Sequence, residues 1–123
     1  MENLDQQKKK LLLIDDEEGV LQALSLLLGA LGHQVFPFSD PVKALQEVTA
    51  ISPDWIITDL RMPEIDGFGV IEKRNTEYPH IPVILISGHA QEDEIEKAKS
   101  LGVKAVLQKP FDPSALTSLI NQD

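Results

Sequence analysis

Near its start the chain reads Leu11-Leu12-Leu13-Ile14-Asp15-Asp16, four large apolar side chains followed directly by two carboxylates. A short apolar run with no alternating polar residue is typical of a β-strand that is buried on both faces. The following residues, 17–31, place apolar side chains at helical spacing, and Gly32 comes next, where a helix C-terminal cap belongs. The first unit of the fold is therefore predicted to be a buried strand followed by an amphipathic helix.

The same pattern of strand and helix recurs four more times along the chain. Predicted strands cover residues 35–38, 55–58, 83–86 and 105–107, and predicted helices cover residues 41–48, 68–75, 92–101 and 113–120. Asp40-Pro41 and Asp112-Pro113 each combine an N-capping side chain with proline at the first helical position. Five such units predict an α/β fold, a doubly wound five-stranded parallel sheet with helices on both faces and right-handed crossovers.

Length and composition limit the class of protein. A chain of 123 residues is the size of one domain, and we assign residues 10–121 to it, with tails at 1–9 and 122–123. The net charge of -9, with no basic stripe beyond residues 8–10, argues against nucleic acid or an anionic membrane as a direct partner. The absence of cysteine excludes disulfides, thiolate metal sites and cysteine nucleophiles. No secretory signal or bilayer-length apolar run is present, so we expect a cytoplasmic protein.

Polar side chains stand at the ends of four predicted strands. They are Asp15 and Asp16 after the first strand, Asp59 after the third, Ser87 after the fourth and Lys109 after the fifth. Each of them alone has a simpler interpretation as a helix cap, a turn residue or solvated surface. In a doubly wound sheet, however, ligands bind beyond the carboxyl ends of the strands, where the strand order reverses. The convergence of all five on that edge therefore predicts a functional site.

Three carboxylates at one edge repel one another unless a cation compensates their charge. An oxygen-only ligand set suits Mg²⁺, which favours one or two carboxylates together with a phosphate oxygen. Phosphoryl transfer requires an aligned nucleophile and positive charge near the phosphoryl oxygens, which Asp59, the metal and Lys109 would supply. Ser87 would donate a hydrogen bond to a remaining phosphoryl oxygen. The residues thus favour phosphoryl transfer onto Asp59.

Four strings of sequence, at residues 13–17, 58–67, 86–89 and 108–111, resemble the signatures of response-regulator receiver domains of two-component signalling. The resemblance runs in order over residues 10–120. It implies the flavodoxin-like (βα)5 arrangement of chemotaxis-type single-domain receivers, with strand order 2-1-3-4-5. It also implies that Asp59 is the phosphoacceptor, that Ser87 and Lys109 contact the phosphoryl group, and that the Lys109-Pro110 bond is cis. Metal ligands would be Asp15 or Asp16, Asp59 and the backbone carbonyl of Arg61.

The same resemblance implies the partners. A sensor histidine kinase or a histidine phosphotransfer protein would donate the phosphoryl group, and an unidentified downstream protein or output domain would respond. The chain would be a regulatory switch rather than an enzyme acting on an external substrate. We expect a monomer or a weak, phosphorylation-dependent homodimer.

One position departs from the family pattern. Receivers usually have Tyr or Phe three residues before the lysine, whereas this chain has Val106. The alternative of a receiver-like adaptor that depends little on phosphorylation therefore stays open. A haloacid-dehalogenase-like enzyme would need an acid where Arg61 stands. A nucleotide- or flavin-binding module would need a glycine-rich loop after the first strand.

For the tryptophan and the three histidines the sequence predicts simpler roles. Trp55, at a strand start, is predicted to pack in the core. His33 and His80 fall in predicted turns and are expected at the surface. His89, two residues after Ser87, is expected either above the phosphoryl group or exposed on its loop.

Overall fold

Within residues 8–121, which the computed structural model describes, five strands and five helices alternate in the predicted order. The strands are β1 (Lys10–Ile14), β2 (Gln34–Phe38), β3 (Trp55–Asp59), β4 (Val83–Ser87) and β5 (Ala105–Gln108). The helices are α1 (Glu18–Ala30), α2 (Pro41–Ile51), α3 (Gly67–Glu77), α4 (Glu92–Ser100) and α5 (Pro113–Ile120). Apart from Lys8 and Lys9, the predicted tails lie outside the described residues.

The strands form one parallel sheet in the order β2-β1-β3-β4-β5, which confirms the expected topology. The order reverses between β1 and β3, because β2 pairs on one side of β1 and the chain continues on the other. Every residue of β3 and β4 is buried, which explains why both strands begin with a continuous apolar run rather than an alternating pattern.

Two hydrophobic cores lie on opposite faces of the sheet because successive side chains of a strand point to opposite sides. Leu12 and Ile14 of β1 pack with residues of α2, α3 and α4, whereas Leu11 and Leu13 pack with residues of α1 and α5. Trp55 is buried in the second core, as predicted. No helix within residues 8–121 combines the length and hydropathy that a membrane span requires.

The helix ends follow the predicted local chemistry at most positions. Asp40 Oδ1 accepts a hydrogen bond from the Val42 N–H at 2.9 Å, and Asp112 Oδ1 accepts one from the Ser114 N–H at 3.0 Å. Gly32 has a φ of 98°, in the left-handed region that a glycine adopts without strain at a helix end.

The third helix begins earlier and ends later than predicted. The sequence pattern indicated residues 68–75, but α3 covers Gly67–Glu77. Asp66 caps it by accepting a hydrogen bond from the Gly69 N–H at 3.0 Å. Gly67 allows this start because glycine has no Cβ. A Cβ at this position would lie only 2.7 Å from the Asp59 carbonyl oxygen. The helix can therefore begin directly against the end of β3.

The prediction that His33 is a surface residue is wrong. Its side chain follows the end of α1 and only 7% of the residue is exposed. The ring Nδ1 accepts a hydrogen bond from the Lys9 N–H at 3.1 Å, which joins the residue before β1 to the one before β2. The other turn histidine, His80, is exposed as predicted.

Candidate functional site

The five polar residues predicted to converge do lie along the carboxyl edge of the sheet. Asp15 follows β1, and Asp59 and Ser87 are the last residues of β3 and β4, with exposures of 0%, 5% and 1%. Lys109 follows β5, and its bond to Pro110 is cis, as the resemblance implied. The site thus occupies the point where the strand order reverses, the usual ligand position in this architecture.

The ammonium group of Lys109 is the centre of the charge arrangement. Its Nζ lies 3.0 Å from Asp15 Oδ2, 3.1 Å from Glu17 Oε1 and 3.6 Å from Asp59 Oδ2. One cation therefore faces three carboxylates, and the edge keeps an excess of negative charge. Burial of Lys109 disfavours its charged form, but the hydrogen bond and charge of Asp15, followed by the hydrogen bond of Glu17 and the charge of Asp59, outweigh this and raise its pKa. Lys109 stays protonated at neutral pH.

The carboxyl group of Asp59 has a pKa raised from its ordinary value to about 6. Burial is the main cause, and the neighbouring Asp15 carboxylate adds to it, while Lys109 and the Leu60 N–H act in the opposite direction. Oδ1 accepts that Leu60 hydrogen bond at 2.8 Å. At pH 7.5 Asp59 is therefore mostly ionised, yet it is more basic than a surface carboxylate and its negative charge is less well stabilised by its surroundings.

The hydroxyl of Ser87 faces the same space. Its Oγ accepts a hydrogen bond from the His89 N–H at 3.3 Å, so its own hydrogen remains available for a ligand. The residues around it enclose a cavity of about 300 Å³, lined by Asp16, Glu17, Asp59, Arg61, Ser87, Gly88, His89 and Lys109. His89 is exposed and also lines this cavity, so both of its predicted positions are compatible with the structure.

Three carboxylates are close enough together to share one cation. Oxygen atoms of Asp15, Glu17 and Asp59 all lie within 4.8 Å of one another. The set contains oxygen donors only, which fits Mg²⁺ better than a softer metal. Asp16 is exposed and lines the cavity without joining this cluster. Glu17 was not predicted as a member, although its place directly after Asp15-Asp16 is a signal that the sequence carries.

The side chain of Arg61 makes contacts that sequence reasoning missed. Its Nη2 donates to the His89 carbonyl at 3.1 Å and to Glu94 Oε1 at 2.7 Å. Glu94 is 33 positions away along the chain, so no local pattern could have indicated the pair. Arg61 thus connects the loop after β3 with the loop after β4.

The strand order defines an α/β domain of the flavodoxin-like class, with an acidic cluster at the carboxyl edge of its sheet. Comparisons with known proteins agree. The family described as response regulator receiver domain matches residues 11–121. Sporulation initiation phosphotransferase F of Bacillus subtilis (strain 168) is 30% identical over 104 residues, which cover 85% of this chain and 84% of that protein.

Two further comparisons extend this result. Transcriptional regulatory protein FixJ of Bradyrhizobium diazoefficiens is 28% identical over 113 residues, and the match covers 92% of this chain but 55% of that protein. A solved receiver domain protein from Clostridium thermocellum has a TM-score of 0.86 at 33% identity, with 91% of this chain and 90% of that chain covered. The chain belongs to the response regulator receiver domain family. Its function is phosphorylation-dependent two-component signalling.

Proposed function

We propose that Asp59 is the phosphoacceptor and that a phosphohistidine of a sensor kinase or phosphotransfer protein is the donor. The observation that carries this proposal is the placement of a buried carboxylate at the end of β3, with Lys109 Nζ 3.6 Å from its Oδ2 and Ser87 in the same cavity. A carboxylate used only for structure would not require a hydroxyl at the end of the adjacent strand β4 and an ammonium group just after β5.

The proposed transfer forms one bond and breaks another. A carboxylate oxygen of Asp59 attacks the phosphorus, a P–O bond forms, and the P–N bond to the donor imidazole breaks with its electron pair leaving on the nitrogen, while a proton on the other ring nitrogen of the donor keeps the leaving imidazole neutral. The product is an acyl phosphate on Asp59 and a neutral histidine on the donor. Later attack of water on the phosphorus would return the carboxylate and release inorganic phosphate.

The side chains around Asp59 have separate roles. Lys109, which pairs with Asp15 and Glu17, would neutralise a phosphoryl oxygen, and the Ser87 hydroxyl would donate its hydrogen to another. Asp15, Asp16 and Asp59, with the backbone carbonyl of Arg61, would hold Mg²⁺. When bound, Mg²⁺ would supply the positive charge that lets an anionic donor approach these carboxylates.

We also infer the setting of this activity. The chain would act in the cytoplasm as a regulatory switch that assists its own phosphorylation and dephosphorylation, without turning over an external substrate. Its downstream partner would be a protein or an output domain, without direct binding to nucleic acid or membrane. A monomer or a weak, phosphorylation-dependent homodimer is the expected state.

One observation, Val106 on β5, favours a second candidate function, that of a receiver-like adaptor. Val106 lies on β5 opposite Leu85 and is partly buried against the core, at the position where the resemblance to receiver domains implies an aromatic ring. Such an adaptor would bind its partner with little dependence on phosphorylation.

Intact-mass measurement after incubation with acetyl phosphate tests the proposal. We expect a mass gain of one phosphoryl group that requires Mg²⁺ and is absent from Asp59→Asn. Asp93→Asn, a change at an exposed carboxylate on α4, is the matched control and should be labelled like the unmodified protein. Normal labelling of Asp59→Asn, or labelling unaffected by removal of Mg²⁺, would contradict the proposal.

A further inference from the structure

The guanidinium group of Arg61 joins the two loops that border the Asp59 cavity. Arg61 follows Asp59 by two residues, and its Nη2 contacts the His89 carbonyl at 3.1 Å and Glu94 Oε1 at 2.7 Å. His89 belongs to the loop after β4, and Glu94 to the first turn of α4. Arg61 and His89 also line the cavity that contains Asp59. One side chain therefore reaches both the phosphorylation site and the start of α4.

Glu94 has a second role that does not depend on Arg61. Its Oε1 also accepts a hydrogen bond from the Gln91 N–H at 2.9 Å, which caps the N-terminus of α4. If Arg61 moved away, this cap would remain. The helix would keep its first turn, while the loop before it would lose its tie to the segment after β3.

The contact between Arg61 and Glu94 is easily broken. Their side chains are 54% and 23% exposed, and ion pairs at such positions contribute little and are screened by salt. A phosphoryl group on Asp59 would carry more negative charge than one carboxylate and offer several acceptor oxygens to the planar guanidinium. Arg61 would then have a stronger partner within the cavity that it already lines.

The rest of α4 has anchors of its own. Lys97 Nζ lies 4.3 Å from the centre of the Phe68 ring on α3, and Asn75 donates a hydrogen bond to the Leu101 carbonyl at 2.9 Å. These contacts involve the middle and the end of the helix. Release of Arg61 would therefore affect the loop after β4 and the first turn of α4 rather than the whole helix.

We propose that the side chain of Arg61 transmits the effect of phosphorylation from Asp59 to the start of α4. It binds Glu94 and the His89 carbonyl before phosphorylation and the phosphoryl oxygens afterwards. The inference rests on the proposed function, since it needs a phosphoryl group on Asp59. It accounts for a switch that lacks the aromatic ring at Val106, because the connection from Asp59 to α4 through Arg61 does not pass through β5. Arg61 acts here as a positioning residue for α4 and as a ligand for the phosphoryl group.

The test is whether substitutions of Arg61 and of Glu94 change the affinity for a phosphoryl probe in opposite directions. Beryllium fluoride with Mg²⁺ serves as the phosphoryl probe, and its apparent affinity is measured from amide signals of residues 87–90 in the full chain. Glu94→Gln keeps an oxygen for the Gln91 N–H but removes the negative charge that holds Arg61, so affinity should rise by about two- to fivefold, the range that an exposed ion pair supports. Arg61→Gln should lower it by a similar factor, and Arg61→Lys should restore part of the loss.

Two controls complete the experiment. Glu77→Gln breaks the exposed Lys73–Glu77 pair on α3, which has an N–O distance of 2.8 Å, and should leave the affinity unchanged. The double variant of Arg61 and Glu94 should behave like Arg61→Gln alone, because the gain from Glu94→Gln requires the guanidinium.

The outcomes separate this inference from the proposed function. If Arg61→Gln and Glu94→Gln shift the affinity in the same direction, or if neither shifts it, the pair is merely structural and the inference is wrong. In that case Asp59 would still be labelled by acetyl phosphate, and the proposed function would be unaffected. If the unmodified protein is not labelled at Asp59, the proposed function fails, and the inference fails with it.

Discussion

Burial controls the ionisation of Asp59. Because burial and the Asp15 carboxylate raise its pKa to about 6, the folded protein binds a proton at Asp59 more tightly than the unfolded chain does. The stability gained from this proton is fully present below the unfolded pKa, near 3.8, and is lost as pH rises through 6. At pH 8 the ionised carboxylate therefore destabilises the fold, and this cost belongs to the site rather than to the core.

Asp59→Asn should consequently stabilise the protein in the absence of divalent cations. A shift of this size corresponds to roughly 1–3 kcal/mol in the free energy of unfolding at pH 8. Urea unfolding in the presence of EDTA measures the difference, which should shrink as the pH is lowered to 5. Asp93→Asn should show no such gain. A less stable Asp59→Asn at pH 8, or a difference independent of pH, would count against the electrostatic description of the site.

At the level of elements, the start of α3 depends on a glycine. A Cβ at Gly67 would lie 2.7 Å from the Asp59 carbonyl oxygen and 2.8 Å from Leu60 Cα, and backbone atoms at the end of a buried strand cannot easily move. Gly29 in α1 differs, since a Cβ there would meet nothing within 4 Å. The two glycines therefore serve different purposes although both lie within helices.

We predict opposite effects of alanine at these two positions. Gly67→Ala should lower the free energy of unfolding by about 2 kcal/mol or more, because overpacking against backbone forces the strand end to shift. Gly29→Ala should raise it by roughly 0.5–1 kcal/mol through helix propensity. Chemical denaturation of both variants is the measurement. Equal effects of the two substitutions would show that the space around Gly67 is not limiting.

Val106 leads to a prediction about how strongly β5 responds to phosphorylation. Its branched side chain is stiff and cannot move into space vacated near Ser87, as a large ring on β5 would. Beryllium fluoride with Mg²⁺ should therefore shift the amide signals of residues 87–90 strongly and those of residues 104–107 only weakly. Shifts of comparable size in both segments would contradict this. Val106→Tyr should increase the response of residues 104–107 and the dependence of partner binding on phosphorylation.

The order of elements could be predicted because buried parallel strands are unbroken apolar runs and because Asp40-Pro41 and Asp112-Pro113 mark helix starts. The edge residues Asp59, Ser87 and Lys109 followed from that order, since parallel strands end together. The cap at Asp66 was missed because the Pro- and Gly-containing loop before α3 obscured it. The pairs of Arg61 with Glu94 and of Lys109 with Glu17 depend on tertiary packing that no local pattern encodes.

On the scale of the whole molecule, the two edges of the sheet carry different charges. Acidic residues gather at the carboxyl edge, whereas Lys9, Arg74 and Lys104, with His80 and Asp54, line a cavity of about 480 Å³ at the amino edge. His33 lies near Lys9, and the pKa of its imidazole is lowered, first by burial and then by the Lys9 charge. A neutral His33 is thus part of the folded state.

This histidine gives the stability a pH dependence of predictable sign. Above its unfolded pKa, near 6.5, His33 is neutral in both states; below it the unfolded chain binds a proton that the folded protein disfavours, so stability falls. His33→Asn, compared with the unmodified protein by urea unfolding, should remove this loss between pH 7.5 and 5.5. His80→Asn is the exposed control and should follow the unmodified protein. Asp59 titrates over a similar pH range and changes the stability in the opposite direction. The quantity to compare is therefore the difference in the free energy of unfolding between each variant and the unmodified protein. A difference that stays constant over this pH range would contradict the role of His33.

Locating the phosphoryl group tests the central claim most directly. Borohydride reduces an aspartyl phosphate to homoserine, so peptide mass spectrometry after acetyl phosphate treatment with Mg²⁺ identifies the modified position. We predict homoserine at position 59 alone, and none when Mg²⁺ is omitted. Homoserine at position 15 or 16, or conversion that persists in Asp59→Asn, would contradict the assignment of Asp59 as the phosphoacceptor.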